Sequence, residues 1–240
     1  MQRDLLTMTW RDALFAHWPV ESELVAERLP DGLDVAIYDG QAWLGIVGFE
    51  MTDIRPRGSP IGLSFPELNL RTYVEPDDGG QRGVYFFNLD AADRIGVPVA
   101  RALFALPYYR AEMRVARERG DADTADDEFG DAVTLTHRRT HRNVSPARFD
   151  ATYRPTGEVF RPEPGSLEAF LVENYRFYTE GRRLYRGDIR HEPWPLQEAT
   201  AEIRSNTLFE TNGFDRPEGE PLVHYAKRSD VTADRIRRVE

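Results

Sequence analysis

Apolar and polar residues alternate along residues 67–74, which is the pattern of a β-strand. One face of this predicted strand would carry Leu68, Leu70, Thr72 and Val74. The opposite face would carry Glu67, Asn69, Arg71 and Tyr73. Taken alone, the pattern is typical of a surface strand with its polar side in water.

The next predicted strand changes that interpretation. Residues 83–90 are apolar on both faces until the end of the strand, and residues 76–82 are rich in the Pro, Asp and Gly of a turn. A strand that is apolar on both faces lies between two buried layers. Its hairpin partner should then be covered on both faces as well. We therefore expect Glu67, Asn69 and Arg71 to line an enclosed cavity.

Further strands and short helices are predicted along the rest of the chain. An Asp39-Gly40 turn predicts a hairpin between residues 33–38 and 41–50. The other predicted strands are 108–117, 132–140, 147–154, 176–179, 184–190, 199–204 and 222–227. Helices are predicted at 22–28, at 91–104, and at 167–174 with Ser166 as its N-cap. This order predicts one α+β, mainly β domain over residues 1–240, forming a closed or partly closed antiparallel barrel.

A second polar segment spans residues 182–195 and contains four arginines, His191 and Trp194. Pro193 and Pro195 would fix an extended backbone and direct Trp194 to one side. Trp194 is therefore a candidate for the cavity wall, and packing in an ordinary core is an equal alternative.

Composition excludes several classes of function. Of the 240 residues, 41 are acidic and 31 basic, and Lys227 is the only lysine. A net charge of −10 disfavours binding to nucleic acid or to anionic membranes. The acidic, lysine-poor composition is consistent with salt adaptation, although a GC-rich genome would also replace lysine by arginine.

Other motifs for location or chemistry are missing from the sequence. There is no cysteine, no apolar signal segment and no run of about 20 apolar residues, so a cytoplasmic protein is expected. Phosphate-binding, dinucleotide-binding and serine-nucleophile motifs are not found. His137 and His141 would lie roughly 13 Å apart on a strand, so no metal or other cofactor is predicted.

Several blocks of sequence resemble the family named domain of unknown function 2071. These blocks are Trp10, 14–20, 29–33, 39–45, 65–74, 83–91, 106–108, 165–171, Tyr175, 178–179, 191–196 and 224–225. The family is grouped with the acetoacetate-decarboxylase-like superfamily. The resemblance implies a cone-shaped antiparallel β-barrel around a central cavity.

The resemblance to catalytic members of that superfamily extends to two site blocks. Their cavity-facing glutamate corresponds to Glu67, and a block with an arginine and a lysine corresponds to Arg101 through Tyr108. In the decarboxylase that lysine forms a Schiff base with the β-keto acid. Here Tyr108 occupies the lysine position, and Lys227 is far away in sequence. Schiff-base decarboxylation is therefore not expected.

Two functions remain open from the sequence. In the first, an enzyme acts on a carboxylate- or carbonyl-bearing metabolite: Arg71 or Arg101 binds the anion, Glu67 is the general acid/base, and Tyr108 donates to a developing oxyanion. Asn69, Tyr73 and Trp194 would complete the substrate-binding wall. In the second, the same residues bind a ligand without catalysis. A structural role, with strand edges forming a homo-oligomer, is a third possibility. A Glu67 without an ion-pair partner would favour catalysis.

Overall fold

The computed structural model describes residues 5–92, 106–118, 129–181 and 183–239. The helices are α1 (Ser22–Ala26), α2 (Leu167–Val172) and α3 (Leu208–Thr211). The first strands are β1 (Leu6–Val20), β2 (Leu33–Val35), β3 (Ala42–Pro56), β4 (Leu63–Pro76), β5 (Gly83–Ala91), β6 (Tyr108–Glu118) and β7 (Ala132–Arg139). They are followed by β8 (Arg148–Pro155), β9 (Arg176–Glu180), β10 (Leu184–Arg190), β11 (Leu196–Asn206), β12 (Leu222–Ala233) and β13 (Arg237–Arg238). Most of the helix predicted at 91–104 lies outside the described residues.

Nine of the strands close into a barrel. Their order is β5-β6-β7-β8-β11-β12-β1-β3-β4, and pairing of β4 with β5 completes the ring. This confirms the predicted single-domain, mainly β barrel. The ladder is antiparallel apart from β5, which is parallel to both β6 and β9. A parallel pair needs a connection of a dozen or more residues, and sixteen residues separate β5 from β6 in the sequence.

A second ring shares part of the first. Because β10 pairs with β12 and β9 pairs with β5, strands β10, β9, β5, β4, β3, β1 and β12 also form a closed circuit. Strand β4 therefore belongs to the wall between two interiors.

Each face of β4 serves a different core. Leu68 and Leu70 are fully buried and pack with residues of β7 and β8, such as Leu135, which belong only to the nine-stranded ring. Glu67 and Asn69 face the other interior, where Phe177 of β9 lies. The prediction that both faces of this strand are covered is thus confirmed in the structure.

Two local features differ from the sequence-based expectation. The long strand β1 was not predicted. All of its residues from Ala13 to Trp18 are buried, so this part of the strand shows no alternation of apolar and polar residues. A bulge interrupts β1 at Asp12, which has φ 49°. The Asp39-Gly40 turn does form, with Tyr38 and Gln41 bonded across it, but β2 then pairs with β4 rather than with β3.

The short helices contribute mainly to covering the barrel. In α2 the Ser166 hydroxyl accepts a hydrogen bond from the Ala169 N–H, as the capping prediction required. Helix α3 follows β11 and places Leu208 and Phe209 in the core that also contains Leu68, Leu70 and Leu135. In the described segments, no helix combines the length and the apolar character needed to cross a membrane.

Candidate functional site

The second interior contains a cavity with two neighbouring compartments. The polar compartment has a volume of about 50 Å³ and includes Glu67, Asn69 and Arg71 in its wall. The apolar compartment has a volume of about 110 Å³ and includes Glu67 and Tyr108. The residues common to both walls are Trp10, Glu67, Phe86, Phe177 and Ile189. Glu67 therefore lies at the junction of the two compartments.

Glu67 is a buried carboxyl group held by neutral partners. It is 3% exposed, and the Tyr108 hydroxyl donates to its Oε2 at 2.8 Å. Burial raises the pKa of Glu67 to about 7; hydrogen bonds from Tyr108 and Asn69 oppose this rise, and the charge of Asp90 adds to it. Within the described segments, Glu67 forms no ion pair. The protonation state of this group can thus change near neutral pH.

Arg71 brings a positive charge to the polar compartment. Its Nη2 donates to the Leu171 carbonyl oxygen of α2 at 3.0 Å, and its guanidinium carbon lies 5.8 Å from the ring centres of Phe15 and Tyr73. Its Nε is buried without a hydrogen-bond partner. None of the ion pairs among the described residues involves Arg71. A partly buried guanidinium of this kind is suited to bind an anion.

Several other buried polar atoms of this wall lack partners. They are Trp10 Nε1 and the side-chain oxygens of Asn69 and Asn174. The Asn174 Nδ2 donates to the Phe170 carbonyl oxygen at 2.9 Å, so its Oδ1 is an acceptor. An unsatisfied buried polar group costs about 1–3 kcal/mol. The compartment consequently presents donors and acceptors that a bound polar molecule would satisfy.

Tyr73 and His17 support the wall from behind. The Tyr73 hydroxyl donates to the Leu171 carbonyl oxygen at 2.8 Å and lies 2.7 Å from His17 Nε2. Burial, then the charge of Arg71, lowers the pKa of His17 well below its usual value, so the ring is neutral. Because the hydroxyl proton is used on Leu171, His17 must donate from Nε2. A side chain at Gly45 would meet His17 at 2.7 Å, so the packing here requires glycine.

Aromatic side chains form the remaining side of the polar compartment. Trp194 is 3% exposed, stacks on Trp10 at 5.8 Å and meets the Phe15 ring edge-on at 5.0 Å. Its backbone N–H donates to Glu173 Oε1 at 2.8 Å. The His191 ring lies 5.2 Å from Trp194 and also lines the compartment. Trp194 is thus both part of a packed core and part of the cavity wall.

The structure brings most of the sequence-predicted site residues together. Glu67, Asn69, Arg71 and Trp194 line the polar compartment, and Tyr108 lines the apolar one. Tyr73 lies on the same side of β4, but its hydroxyl is engaged by Leu171. The predicted anion-binding role of Arg101 falls on a residue outside the described ones.

Sequence reasoning missed Trp10, Asn174 and Phe177 as cavity residues. Trp10 belongs to the unpredicted strand β1, so no face could be assigned to it. Asn174 follows the end of α2, and Phe177 lies in a short strand. The only feature of Asn174 visible in the sequence is a side-chain amide after a helix with a predicted N-cap. That feature does not indicate that the residue lines a cavity.

Solved structures with a similar fold are enzymes of the acetoacetate-decarboxylase-like type. The enduracididine biosynthesis enzyme MppR with HEPES bound matches with a TM-score of 0.69 and 12% identity, over 100% of this chain and 89% of that chain. An acetoacetate decarboxylase-like enzyme from Sphingomonas wittichii RW1 matches with a TM-score of 0.66 and 15% identity, over 99% and 94%. Acetoacetate decarboxylase from Legionella pneumophila has a TM-score of 0.62 at 12% identity, over 98% and 87%. These similarities show that the fold is acetoacetate-decarboxylase-like.

A closer similarity in sequence comes from Bacillus subtilis (strain 168). The uncharacterized protein YqjF is 42% identical over 231 residues, covering 95% of this chain and 89% of that protein. The model of the DUF2071 family, described as an uncharacterized conserved protein, matches residues 7–230. The chain therefore belongs to the DUF2071 family and has the acetoacetate-decarboxylase-like fold.

Proposed function

We propose that this protein binds a small carboxylate- or carbonyl-bearing metabolite in the cavity and uses Glu67 as a general acid/base on it. The observation that carries the proposal is the state of Glu67. It is buried at the junction of the compartments, its pKa is raised to about 7, and it forms no ion pair among the described residues. A carboxyl group in that state gives up and takes back a proton near neutral pH.

Arg71 is proposed to orient the substrate. Glu67 and Arg71 lie on the same face of β4, four positions apart, so their Cα atoms are roughly 13 Å apart. An anionic head bound at Arg71 would therefore place a more distant carbon of the same molecule beside Glu67. Asn69, midway along this row, would contact the atoms in between. This arrangement suits proton transfer at a carbon or oxygen that is not part of the anchoring carboxylate.

Tyr108 is proposed to act through Glu67. Its hydroxyl proton is donated to Glu67, so a role as an oxyanion donor would require that bond to break first. In the bound form the same hydrogen bond would hold the Glu67 carboxyl group in a fixed orientation. Schiff-base chemistry is not part of the proposal, because the only lysine, Lys227, is exposed on β12.

Noncatalytic binding is the alternative function. It is favoured by the hydrogen bonds from Tyr108 and Asn69 to Glu67, which would also suit a carboxyl group that only orients a ligand. In that case Glu67 would contribute to affinity and not to any rate. The two functions therefore differ in what removal of the carboxyl group does to a ligand that still binds.

The test combines binding with proton exchange. Keto acids and simple carboxylates are screened by thermal shift, and each ligand that binds is incubated with the protein in D₂O while its C–H signals are followed by NMR. We expect the natural chain to exchange a ligand proton, Arg71→Ala to lose binding, and Glu67→Gln to bind while exchanging about 10²–10⁴ times more slowly. Arg228→Ala, which changes an exposed arginine of β12, is the matched control and should behave like the natural chain.

Each result has a defined meaning. Equal exchange rates for Glu67→Gln and the natural chain would reject the catalytic role and support noncatalytic binding. If no compound in the panel stabilises the natural chain, the proposed metabolite site is rejected as a whole.

A further inference from the structure

The apolar compartment offers almost nothing to a polar molecule. Eleven of its thirteen described lining residues are hydrophobic, among them Met51, Leu89 and Ala233. The other two, Glu67 and Tyr108, hydrogen-bond to each other at 2.8 Å. A compartment of this composition favours hydrocarbon over water.

The strand register places this compartment beyond Glu67, on the side away from Arg71. Along β4 the cavity-facing row runs from Arg71 through Asn69 to Glu67. On β3, Phe49 pairs with Glu67, and Met51 pairs with the residue two positions before it. Continuing the row from Arg71 past Glu67 thus leads to Met51 in the apolar compartment.

The size of the compartment limits what fills it. An apolar protein cavity of roughly 150 Å³ binds benzene, which has six carbons. The volume here is about 110 Å³. By this comparison it accepts roughly four or five carbon atoms, which excludes a long lipid chain and includes a short alkyl group.

We propose that the ligand is an amphipathic monocarboxylic acid with an apolar tail of about four or five carbons that occupies this compartment. Its carboxylate binds Arg71, its middle passes Asn69 and Glu67, and its tail lies among Met51, Leu89 and Ala233. This inference rests on the proposed function for the position of the head and adds the substrate class. It assigns the medium-chain acids, with or without an oxo group near Glu67, as the preferred ligands.

The test is a series of straight-chain acids from two to twelve carbons, titrated into the natural protein at pH 6 and followed by calorimetry or NMR. At this pH Glu67 is mainly protonated and does not repel the anion. Affinity should rise about fourfold for each methylene group that enters the apolar compartment. It should stop rising once the compartment is full, and Arg71→Ala should weaken all lengths by a similar factor.

Two variants change the compartment in opposite directions. Ala233→Leu fills it, so the gain with chain length should disappear while the shortest acids bind as before. Met51→Ala enlarges it, so the longest useful chain should become about two carbons longer. Ala201→Leu, which adds the same volume on β11 beside the other core, is the control and should leave the series unchanged.

The outcomes separate this inference from the proposed function. Short acids that bind through Arg71 with no gain from length would overturn the tail compartment and leave the proposed function standing. Affinity could instead rise with chain length and be unchanged by Arg71→Ala, Ala233→Leu and Met51→Ala. That result would show that the acids adsorb elsewhere on the protein, and it would also overturn the tail compartment. Failure of every acid to bind would instead reject the anion site itself. If Ala233→Leu does not fold, the tail compartment is tested by Met51→Ala alone, through the expected increase in the longest chain that still gains affinity.

Discussion

Glu67 and Arg71 show how a pair of residues can share a strand face without forming an ion pair. An ion pair between two side chains on one strand face would hold the pKa of the carboxyl group down. In the structure the Arg71 guanidinium turns to the carbonyl oxygen of Leu171, and Glu67 is held by Tyr108 instead. Burial then determines the pKa of Glu67. The sequence predicts the face, but the rotamers depend on helix α2, whose position follows from the whole fold.

The first prediction concerns the stability of Glu67→Gln. In the unfolded chain this carboxyl group ionises near pH 4.3, and in the folded chain near pH 7. Between these values the unfolded state loses its proton first, so the contribution of Glu67 to stability falls as pH rises and levels off above pH 7. Full ionisation costs the folded state about 3–4 kcal/mol at 1.36 kcal/mol per pH unit. The Glu67→Gln variant has no ionisable group at this position, so its folded state does not bear this cost of ionisation.

Chemical denaturation at a series of pH values checks this expectation. The variant should match the natural chain within about 1 kcal/mol at pH 4.5, exceed it increasingly as the pH rises to 7, and keep that margin above pH 7. Glu112→Gln, at an exposed carboxyl group of β6, is the control and should show no such divergence. Parallel pH profiles for Glu67→Gln and the natural chain would contradict the raised pKa.

At the level of elements, helix α2 packs Phe170, Leu171 and Val172 into the core and is also bonded to β4 through one carbonyl group. The Leu171 oxygen accepts hydrogen bonds from both Arg71 and Tyr73. The β4–β5 hairpin and the cap of α2 could be predicted because both are set by residues close in sequence, such as Ser166. The attachment of α2 to β4 and the pairing of β2 with β4 could not, since these contacts join distant segments. Strand β1 was missed because its central residues are apolar on both faces.

The second prediction is that Tyr73→Phe loosens α2. The change leaves the Leu171 oxygen with one donor and His17 Nε2 without its acceptor, so the protein should lose about 1–3 kcal/mol of stability. Amide hydrogen exchange in residues 167–172 should accelerate more than exchange in β1. The control is Tyr153→Phe, which removes a buried hydroxyl that donates to the Asp12 carbonyl oxygen in the other core. It should destabilise the protein without selective exchange in α2; equal protection of α2 in both variants would contradict the expectation.

The whole molecule combines two fused rings with an excess of negative charge. The closed barrel and a cavity lined by polar residues could be predicted from the strand patterns in the sequence. The second ring could not be predicted, because it depends on short strand pairings such as Ile189 with Ala233. The charge is a property of the sequence alone: the net value is −10, and the basic residues other than Lys227 are arginines. Such a surface repels itself when salt does not screen it.

The third prediction therefore concerns salt. Raising KCl from 10 to 200 mM shortens the screening length from about 30 Å to about 7 Å, so the melting temperature should rise by several degrees at constant pH. The same salt titration at pH 5 is the control. Protonation there reduces the excess of negative charge, so the melting temperature should rise less. A melting temperature that does not change with salt at pH 7.5 would show that charge repulsion contributes little to the stability of the fold.

The position of β4 between two interiors also restricts how this sequence can change over time. Even-numbered residues such as Leu68 and Leu70 belong to one interior, and odd-numbered residues such as Glu67 and Asn69 to the other. Loss or gain of one codon within this strand would exchange the two sets, because successive side chains alternate between faces. A carboxyl group and an amide would then enter a dry core, and two leucines would fill the cavity. Inserting or deleting a single residue in β4 is therefore expected to destabilise the fold wherever no bulge absorbs the change.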